Sequence, residues 1–161
     1  MDVTIDLTRT TTDDPAFSQL VAQLDDELWN ELSEDKATYD QYNKVPGIST
    51  AVVLYADGMP VACGCFKAFK GTAVEIKRMF VAKDHRGKGY ARLILKALEQ
   101  WAMEAGYTDA VLETSIHFRI ARQLYESSGY FVIPNYPPYE KLPESVCLKK
   151  NLTQKNTVAS D

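Results

Sequence analysis

Apolar positions along this chain change their spacing from stretch to stretch, and the changes mark out its elements. At 3–7, Val3, Ile5 and Leu7 alternate with polar residues, the period of a short strand. Phe17, Leu20, Val21, Leu24 and Leu28 then return every three or four residues, which is one apolar face of a helix, with Asp14 placed as its N-cap and Pro15 at its first position. Ser33 reads as a second cap, opening a shorter helix that must stop before Pro46 and Gly47. Segments 48–56 and 59–69 are strand-like, and the Asp57-Gly58 pair between them is a hairpin signal, because a tight turn there needs two left-handed residues. Segment 72–81 is rich in β-branched and apolar residues, as a strand should be. Tyr90, Leu93, Ile94, Ala97, Leu98, Trp101, Ala102 and Ala105 follow at helical spacing, and Gly106 is placed to end that helix. A strand at 109–114 leads to a helix at 118–128, with apolar Phe118, Ala121, Leu124 and Tyr125, closed by Gly129. Strands at 130–133 and 145–150 complete the series, separated by a loop that Pro134, Pro137, Pro138 and Pro143 force.

Hairpins followed by strand, helix, strand, helix and strand predict an α+β fold: a mixed sheet with helices on both faces, since parallel neighbours need a crossover helix. A length of 161 residues suits one domain, expected at 1–152, with 153–161 as a polar flexible tail. The chain is 45% apolar and 25% charged, ordinary globular values. No apolar run reaches the roughly 20 residues of a membrane span, and the acidic N-terminus is unlike a secretory leader, so a cytoplasmic protein without a membrane partner is expected. Cys63, Cys65 and Cys147 have no zinc spacing; Cys63 and Cys65 share one strand face and are expected as buried free thiols, with no metal site.

The net charge of −4 conceals an asymmetry. The first 35 residues set Asp2, Asp6, Asp13, Asp14, Asp25, Asp26, Glu27, Glu31, Glu34 and Asp35 against Arg9. In 66–96 the balance reverses, with Lys67, Lys70, Lys77, Arg78, Lys83, Arg86, Lys88, Arg92 and Lys96 against Glu75 and Asp84. Such a basic zone attracts phosphates on a small ligand. Nucleic acid is a poor fit to an acidic chain with few aromatics in its basic stretch.

The centre of that zone, Arg86-Gly87-Lys88-Gly89-Tyr90-Ala91-Arg92, lies where a strand runs into a helix. Two glycines permit close backbone approach, and the first amides of the helix point at whatever anion sits there. The dinucleotide fingerprint needs a third glycine where Arg92 stands, and the nucleotide P-loop needs one where Ala82 stands, so both fail. The surviving pattern, Arg86-x-x-Gly89-x-Ala91, resembles the acetyl-CoA loop of the GNAT acetyltransferases, written Arg/Gln-x-x-Gly-x-Gly/Ala at the same kind of junction. The resemblance extends over nearly the whole chain, with specific motifs at 72–130. It implies a central mixed, mostly antiparallel sheet of six to seven strands, the fourth and fifth splaying apart. It also implies acetyl-CoA as co-substrate, bound by Arg86, Gly87, Lys88, Gly89, Tyr90, Ala91 and Arg92, with backbone amides at Met79, Phe80 and Val81 on a strand bulge meeting the pantetheine and the acetyl carbonyl.

The same resemblance proposes two catalytic side chains. Glu75, eleven residues before Arg86, stands where histone-acetylating members carry a general base; the plainer reading is a strand glutamate paired with Lys77 or Arg78. Tyr125 lies in Ala121-x-x-Leu124-Tyr125-x-x-x-Gly129-Tyr130, similar to the family's closing helix, whose tyrosine protonates the coenzyme A sulfur; a phenol near its usual pKa of about 10 is a competent donor. Where the family has an asparagine at the start of this helix, the chain has Phe118, with His117 and Arg119 adjacent as substitutes. The Pro-rich loop with Tyr136 and Tyr139 is a candidate for substrate recognition, with Tyr139 as a cleft residue, and Asp25, Asp26, Glu27, Glu31 and Glu34 are candidates to attract a cationic amine. The expected function is direct acetyl transfer to a primary amine of a small molecule, by a monomer or homodimer. The alternatives are a noncatalytic acyl-CoA sensor and an acetyltransferase acting on a protein amine.

Overall fold

The computed structural model describes residues 2–31 and 47–152; the helix expected after Ser33 and the tail after Leu152 lie outside them. Seven strands form one sheet in the order β1-β2-β3-β4-β5-β7-β6, with β1 Ile5–Thr10, β2 Ala51–Ala56, β3 Met59–Ala68, β4 Ala73–Val81, β5 Asp109–Ser115, β6 Phe131–Ile133 and β7 Ser145–Asn151. Among the described residues the helices are α1 Pro15–Glu31, α2 Tyr90–Glu104 and α3 Arg119–Ser127. Strands β4 and β5 pair in parallel, whereas β1 with β2, β2 with β3, β5 with β7 and β6 with β7 are antiparallel. The mixed, mostly antiparallel sheet expected from the sequence is therefore present. Contacts gather into two compact units, residues 1–66 with 77–98 and residues 67–76 with 99–161.

In the first unit, Asp57 and Gly58 take φ of 50° and 80°, both left-handed, as the β2–β3 hairpin demands. Asp14 begins α1 as its sequence position predicts: its Oδ1 accepts the Ala16 N–H at 2.9 Å and its carbonyl accepts that of Ser18. Such a cap contributes about 1 kcal/mol. The apolar face of α1 brings Phe17 and Leu20 into a core with Ala51, Val53, Cys63, Cys65 and Phe80. Burying each of those two side chains contributes roughly 1.5–3 kcal/mol. Gly64, between the two cysteines, points to the opposite face of β3, where Ile94 and Leu98 of α2 press so closely that a Cβ would lie 2.8 Å from Ile94 Cγ2. Helices thus cover both faces. Within α2 the buried stripe is Tyr90, Ile94, Leu95, Leu98 and Ala102, while Leu93 is exposed. The stripe read from spacing is rotated by about one position, because Leu93 and Leu95 are equally apolar and only packing chooses between them.

In the second unit β5 and β7 pair along their whole length, Asp109↔Asn151 to Ser115↔Ser145, with β6 on the outer side of β7. The parallel register of β4 with β5 runs from Ala73↔Asp109 to Glu75↔Val111. Helix α3 is shorter than predicted at both ends. Phe118 occupies the N-cap position without a side-chain hydrogen bond, and Gly129 at φ 101° turns the chain out after Ser128. Tyr125 is the side chain α3 buries. No helix among the described residues is long and apolar enough to cross a membrane.

Candidate active site

The glycine loop lies in the first unit. After β4 the chain makes a short 3-10 turn, Lys83–His85, then passes through Gly87 and Gly89 at φ 80° and 82° into α2. L-residues other than glycine rarely adopt that conformation. Built Cβ atoms on either glycine would meet nothing within 4 Å, so the side of the loop that faces away from the protein is open. The first bond of α2 runs from the Leu93 N–H to the Gly89 carbonyl. The amides of Tyr90 and Ala91 precede that bond, and the positive end of the helix dipole lies with them. Lys83 and Lys88 are exposed around the loop. Open backbone, helix terminus and lysines together suit a diphosphate.

The side chain of Arg86 is engaged within the protein. Its Nε donates to the Val81 carbonyl at 2.8 Å, its Nη2 reaches both oxygens of Glu27 on α1, and its guanidinium lies 5.6 Å from the Phe80 ring centre. Arg78, on β4, has a side chain almost fully buried and pairs with Asp25 of α1. Two acids that were candidates to attract a cationic amine are thus engaged within the protein. Arg78 also takes φ 59° inside a strand, a left-handed conformation uncommon for a residue other than glycine. Its carbonyl accepts from Cys63 Sγ, and that of Lys77 from Cys65 Sγ. All three cysteines are buried and free. Met79, Phe80 and Val81 follow directly, with Phe80 in the core and Met79 and Val81 half-buried.

The two candidate catalytic side chains lie in the second unit. Glu75, at the last registered position of β4 against β5, is 4% exposed. Its Oε2 accepts the Tyr136 hydroxyl at 2.9 Å, and Lys67 Nζ stands 3.8 Å from Oε1. Sequence reasoning placed Tyr136 in a loop for substrate recognition but missed this bond. Tyr125 is buried too. Burial first, and the negative charge of Glu113 second, push its phenol well above 10, so it departs from the ordinary tyrosine expected. The phenol stays protonated through neutral and mildly alkaline pH and is a weaker acid than a free tyrosine. Beside it stands Tyr130, ring centres 6.0 Å apart, whose hydroxyl donates to Glu99 Oε2 at 2.8 Å. Lys150 Nζ donates to the other oxygen of Glu99 at 2.9 Å. Of the residues considered in place of the family's asparagine, His117 pairs with Glu144 and Arg119 is exposed.

Comparison with known proteins agrees with this geometry. The profile of the Acetyltransferase (GNAT) family matches residues 15–130. An uncharacterized N-acetyltransferase of Bacillus subtilis is 35% identical over 92 residues, which are 56% of this chain and 61% of that protein, so the chain spans about six-tenths of this relative. A crystal structure from Klebsiella pneumoniae, assigned to the acyl-CoA N-acyltransferases, superposes with a TM-score of 0.72 at 29% identity, covering 93% of this chain and 97% of that one. The PaiA N-acetyltransferase of Thermoplasma acidophilum, solved in complex with coenzyme A, shares the fold at 12% identity, with a TM-score of 0.66 over 92% of this chain and 99% of its own. With most of its length matched by the family profile and its strand order, glycine loop and helix accounted for, this chain belongs to the GNAT acetyltransferase family.

Proposed function

We propose that the protein is an acetyl-CoA-dependent N-acetyltransferase that moves the acetyl group directly to a primary amine of a small molecule. The observation that carries this reading is the open turn at Gly87 and Gly89 leading into the first turn of α2, an arrangement suited to the coenzyme's diphosphate. Lys88 adds positive charge there, and the main chain from Arg86 to Arg92 supplies the donors.

The neutral amine attacks the thioester carbonyl carbon; an N–C bond forms, and the C–S bond breaks in the collapse of the tetrahedral intermediate. Glu75 takes the proton from the amine nitrogen, directly or through one water. Tyr125 gives its proton to the departing thiolate, a role in which general acid catalysis contributes roughly 10²–10⁴-fold. Amides of Met79, Phe80 and Val81 receive the negative charge on the carbonyl oxygen. The left-handed Arg78 supports that role, because a bulge releases strand amides from ladder pairing. One such donor contributes roughly 2.7–4 kcal/mol in a preorganised site.

Initial-rate kinetics with acetyl-CoA and a panel of small primary amines, read by thiol release, test the proposal. Intersecting double-reciprocal lines with at least one amine are expected. Parallel lines would show an acyl-enzyme instead of direct attack, and tight acetyl-CoA binding without transfer to any amine would favour a noncatalytic sensor.

A further inference from the structure

We infer that Tyr136 is a positioning residue for the proton-accepting carboxylate, holding Glu75 in the one orientation from which it serves the acceptor amine. The inference rests on the role proposed for Glu75 above.

The terminal torsion of a glutamate is broad, so a carboxylate without a fixed partner samples many orientations. Glu75 has a fixed partner. Tyr136 Oη donates to Oε2 at 2.9 Å across 61 residues of sequence, and both side chains are buried. The phenol itself is clamped: its ring meets Phe69 edge-on at 4.7 Å and Tyr139 at 5.6 Å. The loop that carries it is laced by Asn135, whose Nδ2 donates to the carbonyls of Tyr139 and Ser145 at 3.2 and 3.0 Å. Lys67, in contrast, stands 3.8 Å away with a half-exposed side chain, beyond hydrogen-bond reach and screened by water.

Tyr136 also remains a donor. Burial, the charge of Glu75 and the hydrogen bond to it push the phenol far above its ordinary value, with smaller contributions from Cys147 and Tyr139. A carboxylate has about four lone-pair sites, and Tyr136 takes one of them. The Pro-rich loop between β6 and β7 therefore supplies orientation to a residue on β4.

A double-mutant cycle on the full chain tests this, using Glu75→Gln, Tyr136→Phe and the double variant. Acetyl-CoA affinity and melting temperature are recorded alongside kcat, below the lowest melting temperature of the set. Tyr136→Phe keeps the ring packing and removes the hydroxyl. It is expected to lower kcat about 10- to 100-fold, the scale of one hydrogen bond to a charged group, while KM for acetyl-CoA stays within twofold. In the Glu75→Gln background the same change should cost less than threefold more. Wild-type kcat in Tyr136→Phe, or losses that multiply in the double variant, would overturn the inference. Wild-type kcat in Glu75→Gln would instead remove Glu75 as base, a separate failure that the single variant reveals by itself.

Discussion

One guanidinium nitrogen of Arg86 meets both carboxylate oxygens of Glu27, at 2.7 and 2.6 Å, across 59 residues of sequence. The first residue of the loop proposed to bind the cofactor is thereby tied to α1. Both side chains are partly exposed, which limits such a pair to about 0.2–1 kcal/mol. Its use is to hold the loop's start in place. Glu27→Gln should therefore weaken acetyl-CoA binding by about 1.5- to 5-fold in calorimetry. Tighter binding in the variant would mean that Arg86 is itself a phosphate ligand that Glu27 holds back.

The loop glycines give a larger effect. A valine at position 89 must adopt φ near 82°, and its branched side chain would occupy the open face of the turn. Gly89→Val is expected to reduce acetyl-CoA affinity at least about 10-fold, consistent with the 1–2 kcal/mol cost of a left-handed L-residue plus lost backbone approach. Unchanged affinity in calorimetry would place the diphosphate elsewhere.

Tyr125 has its phenol raised by burial and by the Glu113 charge. An acid with a raised pKa keeps its proton to higher pH, so its loss of function shifts to the alkaline side. At saturating substrates kcat should show no decline between about pH 8 and pH 10, and Tyr125→Phe should lower kcat by roughly 10²–10⁴-fold. A fall centred below pH 10 that disappears in the phenylalanine variant would contradict the buried, loaded phenol.

Gly64 is the tightest point of the β3–α2 contact, with Met79 Sδ and Ile94 Cγ2 both 2.8 Å from a built Cβ. Gly64→Ala should destabilise the fold by about 1–3 kcal/mol in urea titration through overpacking. Since Met79 belongs to the segment proposed to meet the acetyl carbonyl, kcat should fall with it.

The thiols should be silent. Cys63, Cys65 and Cys147 are fully buried, and burial, with Glu113 and Glu75 adding to it, pushes Cys147 up to about 11 against a backbone hydrogen bond at Tyr136 that lowers it. At pH 8 roughly one Cys147 in a thousand would be thiolate, so a disulfide reagent should label the native chain about 100-fold more slowly than the denatured one. Rapid native labelling would contradict the packing of β3 and β7.

Much of this was legible in the sequence because its signals are local. Asp57-Gly58 demands a hairpin, Asp14 before Pro15 demands a helix start, and two glycines between a strand and a helix allow the left-handed turn found there. What stayed hidden is nonlocal or conformational. The Tyr136–Glu75 bond joins a proline-rich loop to a strand 61 residues earlier, and no spacing rule connects them. Arg78 in a left-handed conformation looks like any charged strand residue until its backbone is seen. Spacing put Leu93 on the buried stripe of α2, yet the core buries Leu95 and leaves Leu93 exposed.

Strand β1 borders β2, and Thr4 grips the hairpin tip by donating to Asp57 Oδ1 and accepting the Asp57 amide. That narrow ribbon works as a selvage for the sheet. Stripped of its first ten residues, the chain would present β2 as a bare edge of Ala51, Val52, Val53 and Leu54, a template on which copies could stack into aggregates.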